Sequence, residues 1–230
     1  MLSHFDNKYF ITADKADKLV IFIHGYNGSP EAIDYAVQWV REKLDNAVLV
    51  VPRAPNRCEK DEDNLQWISF YKEDPQVKFR QKDTSVEEIF DIFNRLGDDF
   101  ADIASKMNDF IDEQQKKFGI DDEHTYLMGF SQGAMISIYT SLTRKCKLAG
   151  VVSVAGIIPG MVRLEKEIVS YPQFLVLHGK DDATIQYKTL ATTLEWLKAQ
   201  SIDFKCVEFD NLAHRMNEEE MQVAADFINS

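Results

Sequence analysis

Short, uninterrupted apolar runs recur along the chain, and such runs are typical of strands that are buried on both faces of a sheet. Six runs are predicted as strands: residues 19–23, 47–51, 125–128, 148–154, 174–177 and 204–209. Segments with a helical period separate most of them. This alternation predicts an α/β fold with one mostly parallel central sheet, flanked by helices on both faces.

Apolar residues at spacings of three and four predict the helices. Four such segments cover residues 30–44, 132–142, 187–199 and 217–228, and Ser29 and Pro30 resemble the cap and first position of the earliest. A capping-box pattern, Ser85 to Glu88, begins a longer apolar stripe that runs to Phe110. Because Gly97 interrupts this stripe, the sequence predicts either a kinked helix or two helices.

Residues 53–84 form a long polar connection within what is otherwise predicted to be a single domain covering residues 1–230. A connection of this length indicates a binding loop, a lid or a missed element. Its aromatic residues Trp67, Phe70 and Tyr71 either line a pocket or fix the segment to the body of the protein.

Charge and cysteine content narrow the function classes. The chain has 230 residues, of which 26 are basic and 38 acidic, giving a formal net charge of -12. Such a surface repels phosphates and excludes an electrostatic nucleic-acid binder. The three cysteines include no CxxC pair, which favours reduced thiols.

Neither a signal peptide nor a membrane-length apolar run is visible in the sequence. We therefore expect a cytoplasmic protein without stable membrane insertion. The sequence is compatible with both a monomer and a homodimer.

The sharpest chemical motif is the pentapeptide Gly129-Phe130-Ser131-Gln132-Gly133, which lies between a predicted strand and a predicted helix. This context is that of a nucleophile elbow, in which a tight turn presents the serine hydroxyl above the sheet edge. The helix that follows directs its positive end towards a developing oxyanion. The alternative interpretation is a glycine-bounded turn with an inert serine.

A serine nucleophile needs a base, and five histidines are available. In α/β folds the functional groups lie at the carboxyl ends of strands. His214 follows the last strand and is the best candidate, although an ordinary surface histidine is the alternative. His124 precedes its strand, His4 lies in the N-terminal tail, and His24 and His178 are each followed by glycine and are expected to shape turns.

Three aspartates could orient that base: Asp181 and Asp182 after one strand, and Asp210 at the end of the next. The order serine, aspartate, histidine is that of α/β-hydrolases. The segment from His178 to Asp182 lacks a second histidine at ligand spacing, so we expect no metal site. The chemistry requires no organic cofactor either.

The elbow pentapeptide with Ala134, the segment His178-Gly179-x-x-Asp182 and the pair Ala213-His214 resemble the carboxylesterase/phospholipase group of α/β-hydrolases. The resemblance implies Ser131 as nucleophile, His214 as base and Asp182 as the orienting acid. It also implies an oxyanion hole built from the backbone N–H groups of Tyr26 and Gln132.

The resemblance is incomplete at Asn27, where that group usually has glycine. Asparagine tolerates left-handed backbone angles better than most residues, so the turn is expected to survive. Trp67 resembles part of the segments beside the group's acyl pocket, and Ile157 and Ile158 are further candidates for substrate contact.

The sequence therefore predicts a serine hydrolase that cleaves carboxylic esters of small acyl substrates through an acyl-enzyme. One alternative is an acyl-protein thioesterase or lysophospholipase that acts on long acyl chains. An alternative of a different class is a catalytically silent module that binds a small ligand. The expected partner is a small-molecule ester or thioester substrate.

Overall fold

The structure, a computed structural model, describes residues 5–12 and 15–230. A seven-stranded sheet forms the centre of this part of the chain. His4 lies outside these residues. Within them the strands are β1 (Asn7–Ile11), β2 (Lys18–Ile23), β3 (Ala47–Pro52), β4 (Asn56–Arg57), β5 (Leu65–Gln66), β6 (Thr125–Phe130), β7 (Gly150–Val154), β8 (Gln173–Gly179) and β9 (Phe204–Phe209). The large sheet has the order β1-β3-β2-β6-β7-β8-β9, and β4 and β5 form a separate pair.

Successive side chains of a strand point to opposite faces of the sheet, so the continuous apolar runs make both faces apolar. Helices cover both of these faces. The helices of the described residues are α1 (Asp34–Arg41), α2 (Val86–Arg95), α3 (Gly97–Phe118), α4 (Gln132–Thr143), α5 (Met161–Glu167), α6 (Leu190–Ala199) and α7 (Glu218–Asn229). Leu19, Ile21 and Ile23 of β2 pack in one apolar core with α2 to α6. Val20 and Phe22 pack in a second core with α1 and α7. The predicted α/β architecture is confirmed.

The strands β2, β3 and β6 to β9 run parallel, and β1 pairs antiparallel with the outer side of β3. The strand β1 was not predicted, because this edge strand is half exposed and has no continuous apolar run. From β2 the chain moves to β3 on one side and then returns to β6 on the other. The carboxyl ends of β2 and β6 therefore form the switch point at which α/β sheets bind their ligands.

One predicted helix start is wrong, and two other helix predictions are confirmed. The first helix begins at Asp34 rather than at Pro30, because the Ser29 hydroxyl accepts a hydrogen bond from the Ala32 N–H in a preceding turn. The Ser85 hydroxyl caps α2 by accepting from the Glu88 N–H at 3.1 Å. The stripe beyond it is two helices, and Gly97 is the first residue of the second. The short helix α5 was not predicted.

Residues 53–84 carry the β4–β5 pair and a short 3-10 helix, Lys78–Arg80. A bridge between Gly28 and Leu65 joins the segment to the loop after β2. Trp67 and Phe70 are 1% and 2% exposed, so of the two roles considered for them the structure favours fixing the segment to the body. Across the described ranges, no helix is long and apolar enough to cross a bilayer.

Candidate active site

Ser131 lies on a strained turn between β6 and α4. Its backbone angles are φ 56° and ψ -116°, a conformation that few non-glycine residues adopt. Its N–H donates to the Val154 carbonyl at 2.9 Å, which helps to hold the turn against the end of β7. A side chain at Gly129 would lie 2.2 Å from the Gly133 backbone, and one at Gly133 would lie 2.0 Å from the Ile23 carbonyl oxygen. Both glycines are therefore required by close approach of the backbone.

His214 lies in the loop between β9 and α7 and reaches the serine. Its Nε2 is 3.0 Å from the Ser131 Oγ. The imidazole ring packs against Phe130, with ring centroids 4.8 Å apart. The position beyond the last strand, which singled out His214 in the sequence, brings it to the same edge as the elbow because both follow parallel strands.

Asp182 is the carboxylate that meets His214, with 2.7 Å between its Oδ2 and the His214 Nδ1. Its other oxygen, Oδ1, accepts hydrogen bonds from the N–H groups of Thr184 and Ile185 at 2.8 and 3.0 Å. These donors fix the carboxylate, whose side chain is fully buried. By contrast, Asp181 is exposed. Asp210 is also exposed and pairs with Lys180 rather than with a histidine.

Two other histidines are buried near the site and have structural partners. The Nδ1–H of His24 donates to the Gly25 carbonyl at 2.9 Å, and its Nε2 accepts from the Ala54 N–H at 3.2 Å. Burial lowers the pKa of His24 to about 4, so this ring is neutral. The His178 Nε2–H donates to the Ile185 carbonyl at 2.9 Å, and burial lowers its pKa as well.

The N–H groups that were expected to form the oxyanion hole lie at the switch point. Gln132 is the first residue of α4, where backbone N–H groups have no partner within the helix. Tyr26 follows β2 in the turn beside it and shares a cavity wall with Ser131. In the described part of the chain, no hydrogen bond from either N–H is observed. Both donors are therefore free to bind an anionic oxygen.

Asn27 has φ 55°, which lies in the left-handed region. The asparagine thus adopts the left-handed backbone angles that it was expected to tolerate at this position. A tight contact limits the neighbouring position, since a side chain on Gly28 would lie 3.0 Å from the Gly25 carbonyl oxygen. The loop that carries Tyr26 is consequently closely packed.

The three residues expected to contact substrate do not lie on the cavity wall beside Ser131. Ile157 and Ile158 are fully buried in the larger core. Trp67 is also in that core, where its Nε1–H donates to the His24 carbonyl and its backbone N–H donates to the Gln132 side chain, both at 2.9 Å. Apolar side chains of this size gain more from packing in the core than from lining an open polar cleft.

The cavity at Ser131 has a volume of about 200 Å³. Its wall consists of Tyr26, Asn27, Lys60, Arg80, Phe130, Ser131, Thr184 and His214. Lys60, Arg80 and Thr184 were not identified from the sequence, because they lie in irregular segments that have no periodicity to place them. Within residues 5–12 and 15–230, no cluster of three or more potential metal ligands is found.

Comparison with known proteins gives consistent results. The chain is 28% identical to acyl-protein thioesterase 1 of Neurospora crassa over 219 residues, which cover 91% of this chain and 84% of that protein. It is 27% identical to acyl-protein thioesterase 1 of Candida albicans over 231 residues, which cover 94% and 92% of the two chains.

Solved structures share the fold. The crystal structure of esterase PE8 superposes with a TM-score of 0.81 at 22% identity, covering 97% of each chain. The Bacillus cereus carboxylesterase superposes with a TM-score of 0.70 at 14% identity, covering 98% of this chain and 93% of that one. A family model described as phospholipase/carboxylesterase matches residues 10–230. The chain therefore belongs to the phospholipase/carboxylesterase family of ester hydrolases.

Proposed function

We propose that this protein hydrolyses carboxylic esters of small acyl groups, with Ser131 as the nucleophile. The observation that carries the proposal is the continuous hydrogen-bonded line from Asp182 through His214 to the Ser131 Oγ, with distances of 2.7 and 3.0 Å. This is the arrangement that activates an otherwise weak hydroxyl nucleophile.

In the first half-reaction His214 takes the proton of the Ser131 hydroxyl while the oxygen attacks the acyl carbon. The N–H groups of Tyr26 and Gln132 bind the oxyanion of the tetrahedral intermediate. His214 then gives the proton to the leaving oxygen or sulfur, and an acyl-enzyme remains. Asp182 holds the imidazole in the required tautomer and stabilises its cation.

In the second half-reaction water replaces the serine hydroxyl as the nucleophile. His214 takes a proton from the water, the oxygen attacks the acyl carbon, and the acid product leaves as the proton returns to Ser131. The residues that act in the first half are reused in reverse order. Neither half requires a metal ion or an organic cofactor.

The cavity favours short acyl groups. Its volume is about 200 Å³, and most of its wall residues have polar or charged side chains. A long acyl chain would leave much apolar surface in contact with such groups, and the burial that favours its binding would be lost. The names of the two fungal relatives support the second candidate, an acyl-protein thioesterase that acts on longer chains.

The test is labelling with a fluorophosphonate probe, followed by turnover of p-nitrophenyl esters of increasing acyl length and of a palmitoyl thioester. We expect the probe to attach to Ser131, the variant Ser131→Ala to fold without labelling, and turnover to be fastest with acetyl to butyryl esters. Fastest turnover with palmitoyl thioesters would support the second candidate. A wild-type protein that neither labels nor turns over any ester would instead be a silent binding module.

A further inference from the structure

Two basic side chains lie on the wall of the Ser131 cavity in a protein with a net charge of -12. Lys60 is exposed at the turn between β4 and β5, and Arg80 is half-buried at the end of the 3-10 helix. In the described ranges, neither forms an ion pair within 4.0 Å, although other basic residues such as Arg53, Lys72 and Arg163 have acidic partners.

Arg80 also has an unsatisfied donor. Its Nε is buried and has no hydrogen-bond partner among the described residues. The guanidinium lies 5.8 Å from the Tyr26 ring centroid and 5.2 Å from the Phe79 ring centroid, and these contacts hold it in place. No described residue accepts a hydrogen bond or forms an ion pair with this guanidinium, so an anion bound in the cavity would give it an acceptor that the protein lacks.

A second orphan group shares the same wall. The Oδ1 of Asn27 is buried and likewise lacks a partner among those residues. Oxygen and nitrogen of an amide exchange places by rotation, so this group can offer either a donor or an acceptor. Both residues line the cavity, and the protein leaves the polar atoms of each side chain incompletely paired, which favours a polar ligand beside Ser131.

The carboxylate that binds the wall residue Tyr26 is already engaged with several donors. Glu59 accepts hydrogen bonds from the Tyr26 hydroxyl at 3.3 Å, from the Ser69 hydroxyl at 2.8 Å and from the Gln66 side-chain amide. Burial, together with the neighbouring Cys58 and Glu59, raises the pKa of Tyr26, so its hydroxyl keeps its proton and donates it. Asp61, next to Lys60, accepts from Asn64 at 2.8 Å. These carboxylates therefore leave the Arg80 guanidinium without a partner.

We infer that Arg80, assisted by Lys60 at the rim, binds an anionic group of the substrate, so that the preferred ester carries a carboxylate or phosphate near its scissile bond. This inference rests on the proposed ester hydrolysis and names its substrate class. Arginine suits the role because its planar donors match both anions and its charge persists at all relevant pH values.

The experiment compares matched esters that differ in one charge. Mono-p-nitrophenyl glutarate and its methyl ester place the anion or its neutral counterpart on the acyl side. Acetoxybenzoate and methyl acetoxybenzoate place it on the leaving group. Inhibition by inorganic phosphate tests whether the same site accepts a phosphate. The ratio of kcat/KM for the charged ester to that for the neutral ester is measured for the wild type and for Arg80→Gln.

We expect the charged ester to be preferred in at least one pair, and the ratio for that pair to fall about 10- to 100-fold in Arg80→Gln, mainly through KM. Arg80→Lys should restore part of the preference. The matched control is Lys78→Gln, on the same 3-10 helix but paired with Glu88 at 3.8 Å, which should keep the wild-type ratio.

Equal kcat/KM values for charged and neutral esters in both pairs would overturn the inference, as would equal losses in Arg80→Gln and Lys78→Gln. Either result would leave the proposed ester hydrolysis standing, because the neutral esters would still be cleaved. Failure of the proposed function is a separate result, in which no ester is cleaved and Ser131 is not labelled.

Discussion

The indole Nε1–H of Trp67 donates a hydrogen bond to the His24 carbonyl at 2.9 Å, two residues before Tyr26. The backbone of the same residue donates to the Gln132 side chain, also at 2.9 Å. Trp67 thus connects the two segments that carry the proposed oxyanion donors. Replacing it by phenylalanine keeps most of the packing but leaves the His24 carbonyl unpaired.

We therefore expect Trp67→Phe to lower the free energy of unfolding by about 1–3 kcal/mol, the usual effect of an unsatisfied buried polar group. Because the oxyanion donors lose alignment, kcat should fall by about 10-fold with little change in KM. Urea denaturation and steady-state kinetics measure these effects. Trp39→Phe, in a half-buried residue of α1, is the control and should leave kcat unchanged.

Asp182→Asn should lower kcat by about 10⁴-fold, because asparagine favours the wrong imidazole tautomer and no longer stabilises its cation. The adjacent Asp181→Asn is a matched control, since Asp181 is exposed and follows the same strand. It should change kcat by less than about threefold. Comparable losses in both variants would contradict the assignment of Asp182.

Asn27→Ala should lower the free energy of unfolding by about 1 kcal/mol, because alanine is strained at φ 55°. The distorted loop should also lower kcat more than it raises KM, since it carries the Tyr26 N–H. Asn46, at φ 51° in the turn before β3, provides the control. Asn46→Ala should show a similar loss of stability with unchanged kcat, whereas a purely KM effect of Asn27→Ala would contradict the role of the loop.

Glu220 predicts a pH dependence of stability. It is 1% exposed in the first turn of α7, and burial, with smaller contributions from Asp182 and Glu219, raises its pKa from 4.5 to about 7. Between these values the unfolded chain has released the proton and the folded protein retains it. The contribution of Glu220 to stability is thus complete below pH 4.5 and is lost as pH rises through 7.

Glu220→Gln keeps an acceptor for the Asn217 N–H but removes this titration. Between pH 5 and 8 the free energy of unfolding of the wild type should fall by about 1–3 kcal/mol more than that of the variant, as measured by urea denaturation. Glu218→Gln, at an exposed position in the same turn, should follow the wild type. Parallel pH profiles for wild type and Glu220→Gln would contradict a raised pKa.

The sequence predicted the sheet well because strands buried on both faces leave continuous apolar runs. It missed β1, whose outer edge is half exposed, and it placed the start of α1 too early because Ser29 caps a turn rather than the helix. Position relative to strand ends also distinguished His214 from His124. Apolar runs and positions after strands can be read from neighbouring residues in the sequence, because local backbone geometry and burial determine them.

The remaining site residues depend on tertiary contacts. Neither composition nor position after the strand separates Asp182 from Asp181; the family resemblance pointed to Asp182, and the burial and hydrogen bonds of the folded loop give the physical reason. Trp67 was expected on the pocket wall, since an aromatic side chain suits either a pocket or a core. Arg80 was not predicted, because the sequence gives no sign that an arginine in a polar segment lacks an acidic or hydrogen-bonding partner. Only the folded structure shows this.

The Gln132 side chain also donates to the Ile68 carbonyl at 3.0 Å, so both of its amide atoms bind residues 67 and 68. Gln132, the first residue of α4, therefore fixes residues 67 and 68 to the helix that follows the nucleophile. We therefore expect substrate to enter without a large opening motion of residues 67 and 68. Catalysis should also show no activation at a lipid–water interface, in contrast to lipases in which a lid opens at such an interface.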